Sequence, residues 1–139
     1  MSVKRTATAH WNGNGKEGKG TVSTESGVLS NANYSYKTRF EEGIGTNPEE
    51  LIGAAHAGCF SMKLAFVLQA ANITAHSIVT KAIVGLDKGT IGEIHLYTRV
   101  KAEGLDQEAF EKYAQEAKEN CPVSKLLTAT ITLDAELVA

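Results

Sequence analysis

Cysteine is scarce in this chain, with two in 139 residues, and so is proline, also with two. Small secreted scaffolds held by disulfides are far denser in cysteine, so that class is excluded. A basic excess is missing too. Fourteen Lys and Arg face sixteen Asp and Glu, for a net charge of −2 and a pI near 6.1. No electrostatic footprint for nucleic acid or anionic lipid follows from that balance. Long uniformly apolar runs are absent as well. The most apolar stretch, Leu51 to Ala71, is broken by His56, Lys63 and Gln69, whereas a membrane span is more evenly apolar. The first residues carry Lys4 and Arg5 but no apolar leader segment, which makes the cytoplasm the expected address and no membrane the expected partner. Composition is otherwise that of a folded globular protein, 42% apolar and 22% charged. The length fits one domain over residues 1–139.

Patterning supplies the elements. Val3 to Trp11 alternates as a half-buried strand does, Asn12-Gly13-Asn14-Gly15 is a turn, and Gly18 to Thr24 reads as the returning strand. Tyr34 to Phe40 alternates again, with Arg39 on its polar face, and predicts a further strand. After Gly43-Ile44-Gly45 a helix opens, capped either by Thr46 with Glu49 or by Asn47 with Pro48 in the first turn. It runs to about Ala71 and is apolar on most sides, which predicts burial. Leu51, Ala55, Cys59, Met62 and Phe66 share one stripe, flanked by small residues that would let another backbone approach. Ser77 to Leu86 and Ile91 to Ala102 form a hairpin, and a second helix is capped by Asp106. Cys121-Pro122 begins a short helical turn, and Ala129 to Leu137 closes the chain as a strand. The expected class is α+β, with mainly antiparallel sheets around long central helices.

A thiol pair in a reducing compartment is catalytic, redox-sensing, metal-binding or merely buried. The attacking species is the thiolate, so reactivity needs a cation or N–H donors close by. Cys121, at a helix cap before Pro122, has such donors from local structure. Cys59 lies roughly 16 Å down its helix, beyond the reach of the dipole, and desolvation among apolar neighbours raises its pKa. Only a charge delivered by folding reverses that. Arg39 is the leading local candidate, and Glu49 could hold it bidentately. Along one straight helix Glu49 sits roughly 15 Å from Cys59 and about 80° round the cylinder. If it belongs to the Cys59 site, it comes from another chain, which makes a dimer with composite sites the expectation.

The stretch from Gly45-Thr46-Asn47-Pro48-Glu49 through Ala55-His56-Ala57-Gly58-Cys59-Phe60-Ser61-Met62 resembles the osmotically inducible protein C and organic hydroperoxide resistance (OsmC/Ohr) family. So do Asn120-Cys121-Pro122-Val123-Ser124-Lys125 and the opening His10-Trp11-Asn12-Gly13. Tyr34 to Phe40 places the likeness nearer the osmotically inducible branch. The resemblance implies a peroxidatic Cys59, a resolving Cys121, and an Arg39–Glu49 pair that activates the thiolate. It also implies an intertwined homodimer, an organic hydroperoxide as substrate and a dithiol reductant, with a lipoyl protein as the family's suggestion. No cofactor or metal is implied. Leu51, Met62 and Phe66, with Ile44 and Phe40, are the expected apolar walls for substrate, in a protein guarding against oxidative and osmotic stress.

Bland readings stand beside these. Cys59 could be a passive core thiol, Cys121 a simple cap, Arg39 a solvated side chain, and Glu49 the capping partner of Thr46. His56, three residues before Cys59, could suggest a Cys–His hydrolase or half a metal site, but the other histidines, His10, His76 and His95, are scattered over strands. The rival from another class is a non-enzymatic protein, either stress-structural or holding an apolar small molecule.

Overall fold

Turn chemistry and hydrophobic alternation can be followed element by element in the computed structural model, which describes residues 2–138; Met1 and Ala139, the ends of the expected domain, lie outside them. Two compact units are present, Met1–Leu51 and Ile52–Ala139.

The first unit holds β1 (Ala7–Asn12), β2 (Lys19–Thr24) and β3 (Ala32–Tyr34) in one antiparallel sheet of that order. Trp11 packs on Tyr34 at 5.3 Å between ring centroids. The contact needs Gly20, where a Cβ would meet both rings at 2.5 Å. The strand expected over Tyr34 to Phe40 is not formed. Its place is taken by a short helix, α1 (Tyr36–Phe40), so Arg39 stands on helical backbone rather than on the polar face of a strand. Local capping explains the difference. Ser35 Oγ accepts the Thr38 N–H at 3.2 Å, and Thr38 Oγ1 accepts the Ser35 N–H at 2.8 Å. That reciprocal box overrides the period-two signal in the same residues. Gly45, at φ +139°, lies where a Cβ would stand 2.3 Å from the Asn33 carbonyl oxygen, and the Thr46 N–H donates to that same oxygen.

Helix α2 (Pro48–Ala70) opens here, and Asn47 caps it, its Oδ1 accepting the Glu50 N–H at 2.8 Å. Thr46 instead donates its hydroxyl to Glu50 at 2.7 Å. The alternative box with Glu49 is therefore not used, and that carboxylate is left for another partner.

The second unit carries most of α2, then β4 (Ala75–Asp87), β5 (Thr90–Ala102), α3 (Gln107–Asn120), α4 (Pro122–Leu126) and β6 (Thr130–Val138). Lys88 and Gly89 both have positive φ, 52° and 77°, as a two-residue hairpin demands. The sheet order is β4-β5-β6, and β5 and β6 pair in parallel because α3 and α4 carry the chain back before β6 begins. Ile94, Leu96, Thr98 and Val100 point inward with Phe110, Ala114 and Ala117 of α3.

By length and composition α2 could cross a bilayer, with a mean hydropathy of 1.6 over its most apolar window. Its packing fits a core helix. Gly53, His56, Phe60, Leu64, Val67 and Leu68 form a buried stripe, and a Cβ on Gly53 would lie 3.3 Å from Val84 of β4. Burial of Phe60 alone contributes about 1.5–3 kcal/mol. The expectation of burial on most sides is met on one side only. Met62 and Phe66 remain 65% and 58% exposed.

Candidate active site

Cys59 lies at the seam between the two faces of α2, half-buried, because its helical angle falls between the packed stripe and the exposed one. Cys121 is fully buried where α3 ends and α4 begins, its backbone N–H held by the Ala117 carbonyl. Both are free thiols, and Cys121 stands close enough to Cys59 to act on its ionisation. The fold thus brings together the two cysteines that stand far apart in the chain.

Burial pushes the Cys59 thiol above its ordinary pKa, and the neighbouring Cys121 thiol adds to the rise. Two features oppose it. The Val123 backbone N–H donates to the Cys59 sulfur, and the Lys63 ammonium stands one helical turn further along α2. The local expectation for Cys121 is therefore redirected. Its side chain makes no cap bond to α4, and a first-turn N–H of that helix serves Cys59 instead.

Arg39 and Glu49 are also brought together, inside the first unit. Arg39 Nε reaches Glu49 Oε1 at 3.1 Å and Oε2 at 3.2 Å, and its Nη2 reaches Oε2 at 3.1 Å. The carboxylate is buried, while the guanidinium is 40% exposed and lies 5.3 Å from the centre of the Phe40 ring. Two-point contact fixes the plane of the guanidinium and leaves its outer edge free to donate. Of the expected apolar walls, Leu51 is half-buried, and Ile44, Phe40, Met62 and Phe66 are exposed.

Sequence reasoning passed over Lys63 and Ser124. Lys63 was readable as the residue four positions after Cys59. Ser124 carried no signal of its own in the sequence, whereas in the structure His56 is fully buried, and a buried imidazole needs a partner. That partner is the Ser124 hydroxyl, 2.8 Å from Nε2, and burial holds the imidazole below its ordinary pKa, hence neutral. Among the described residues no three His, Cys, Asp or Glu side chains gather as metal ligands do.

Comparison with known proteins identifies the family. The OsmC-like protein family matches residues 41–136. The chain is 52% identical to the peroxiredoxin OsmC of Escherichia coli strain K12, over 99% of each chain. It is 28% identical to the organic hydroperoxide resistance protein OhrB of Bacillus subtilis, over 85% of this chain and 88% of that one. The crystal structure of the latter superposes with a TM-score of 0.64 at 27% identity, over 96% of this chain and 98% of that chain.

Proposed function

The chain belongs to the OsmC-like protein family, and from that premise we propose that Cys59 and Cys121 are the peroxidatic and resolving thiols with which it reduces organic hydroperoxides to alcohols. It is a cysteine-based peroxidase, as its kinship with a peroxiredoxin over the full length indicates. What supports the residue assignment is the closeness of the two thiols, with the Cys121 thiol and the Val123 N–H both acting on the ionisation of Cys59.

In the first step the Cys59 thiolate attacks the distal oxygen of the hydroperoxide. The O–O bond breaks, a proton joins the departing alkoxide, an alcohol leaves, and the sulfur becomes a sulfenic acid. Cys121 then attacks that sulfur, water departs, and a disulfide forms. A dithiol donor, a protein-bound lipoyl group in our reading, restores both thiols by exchange and is itself oxidised.

Cys59 needs more positive potential than Lys63 and one N–H supply. The Arg39 guanidinium, gripped by Glu49, is suited to stabilise the thiolate and the developing alkoxide. We assign it to a composite site in an intertwined homodimer. Supporting this, α2 leaves Met62 and Phe66 exposed beside Ala54, Ala55, Gly58 and Ala65, and a Cβ on Gly58 would meet nothing within 4 Å. A second copy seated there would cover that face and, with Leu51, form an apolar wall favouring organic peroxides over hydrogen peroxide. Equilibrium sedimentation is expected to give twice the 14.8 kDa chain mass. A monomer with full activity would remove the composite site. Two free thiols suit a reducing cytoplasm, where we place the protein. We read both compact units as one family domain, since the family match runs across them.

The direct test mixes reduced protein with one equivalent of cumene hydroperoxide and counts free thiols. Two thiols lost per chain, faster than with hydrogen peroxide, is the expected result. Unchanged thiols would favour a binding protein without enzymatic activity.

A further inference from the structure

Among the described residues His56 is the one buried titratable group that the peroxidase scheme leaves idle, and its surroundings are unusual. It is fully buried, its Nε2 meets Ser124 Oγ at 2.8 Å, and its Nδ1 has no hydrogen-bond partner. An unpaired buried polar atom costs about 1–3 kcal/mol, and an apolar side chain would avoid that cost. Some return on the bond to Ser124 is therefore expected. The bond spans two elements: His56 stands on α2, three residues before Cys59, and Ser124 stands in α4, one residue after Val123.

We propose that the His56–Ser124 hydrogen bond is a latch that seats the first turn of α4 on α2 and so keeps the Val123 N–H on the Cys59 sulfur. His56 and Ser124 are then positioning residues, acting through a backbone donor rather than on the peroxide. Helix α4 has five residues and little to fix it locally, since Cys121 makes no side-chain cap bond. Val123 and Leu127 pack against the core on either side of Ser124, but apolar packing does not by itself fix the direction of a backbone N–H. A rotation of α4 that moves Val123 by about 1 Å is enough to break the N–H···S contact. The groups facing Cys59 in this unit are the Cys121 thiol, the Val123 N–H and the Lys63 ammonium. His56, kept neutral by its burial, adds no charge. Releasing the latch therefore withdraws one of the two influences with which this unit favours the thiolate, leaving Lys63 as the other, beside the Arg39 assigned above to the composite site.

The proposal rests on Cys59 as the attacking thiol, so its test reads that thiol without peroxide. Iodoacetamide alkylation of Cys59 is followed against pH at the peptide level, which separates it from Cys121. In Ser124→Ala the rate at neutral pH is expected to fall about tenfold, with the profile displaced about one unit to higher pH. It should rejoin the native rate once the thiolate is fully formed, an outcome a general loss of structure would not give. Ser124→Thr, which keeps the hydroxyl, should follow the native profile. His56→Leu should match Ser124→Ala, and the double variant should be no slower than either single one. An unmoved profile in Ser124→Ala overturns the latch, as do additive losses in the double variant. If His56→Leu does not fold, the two Ser124 variants decide. Oxidation by cumene hydroperoxide is measured in parallel. A displaced alkylation profile without a matching displacement in peroxide rate leaves the latch standing and removes Cys59 from the peroxidase reading.

Discussion

Cys59→Ser is expected to abolish hydroperoxide reduction, lowering the rate at least about a thousandfold. A serine hydroxyl remains protonated at any physiological pH and cannot attack the O–O bond as a thiolate does. The substitution is nearly isosteric, and Cys59 is half-buried at the edge of the packed stripe, so the fold should persist. Cys121 remains as an internal control. Fully buried, it should not replace Cys59 as nucleophile. The measurement is loss of cumene hydroperoxide under a dithiol, with circular dichroism to verify folding. A folded variant retaining a tenth of native turnover would sink the assignment.

The reaction of the native protein should itself be pH-dependent in a defined direction. Burial raises the Cys59 pKa, and the Cys121 thiol raises it further. A raised thiol pKa means less thiolate at neutrality, so the single-turnover rate should climb with pH until the thiolate is fully formed.

Cys121→Ala separates the two roles of the second thiol. Removing it withdraws the influence of a neighbouring thiol that raises the Cys59 pKa, so the rise in oxidation rate should move toward lower pH. The first oxidation is expected to survive, and at neutral pH to be faster than in the native protein. Catalysis should nonetheless be lost. Without Cys121 the sulfenic acid has no internal partner, and excess peroxide drives Cys59 on to the sulfinic acid, which a dithiol does not reverse. Mass spectrometry of dimedone-treated protein should show one sulfenate per chain and then progressive inactivation. Sustained native-rate cycling in this variant would remove the resolving role.

Much of the fold was legible because its signals are local. Alternation and turn residues placed β1, β2 and the β4–β5 hairpin, and Asp106 and Asn47 were readable as caps. Tyr34 to Phe40 misled because its alternation and its capping box use the same residues, and the box, a contact between near neighbours, is the one the structure keeps. The parallel pairing of β6 was hidden for a different reason: strand direction depends on where two helices return the chain.

The candidate site divides along the same line. Motifs along the chain carried the resemblance to a family, and that resemblance implied the roles of Cys59, Cys121, Arg39 and Glu49, because residue identities are written in the chain itself. Tertiary structure alone decided that Cys121 comes within reach of Cys59, and that a backbone N–H of α4 serves Cys59 rather than Cys121. It also decided that a buried imidazole spans from α2 to Ser124. Those are contacts between groups distant in sequence, and a thiol's ionisation responds to whatever stands within a few ångströms of it, wherever in the chain that group originates.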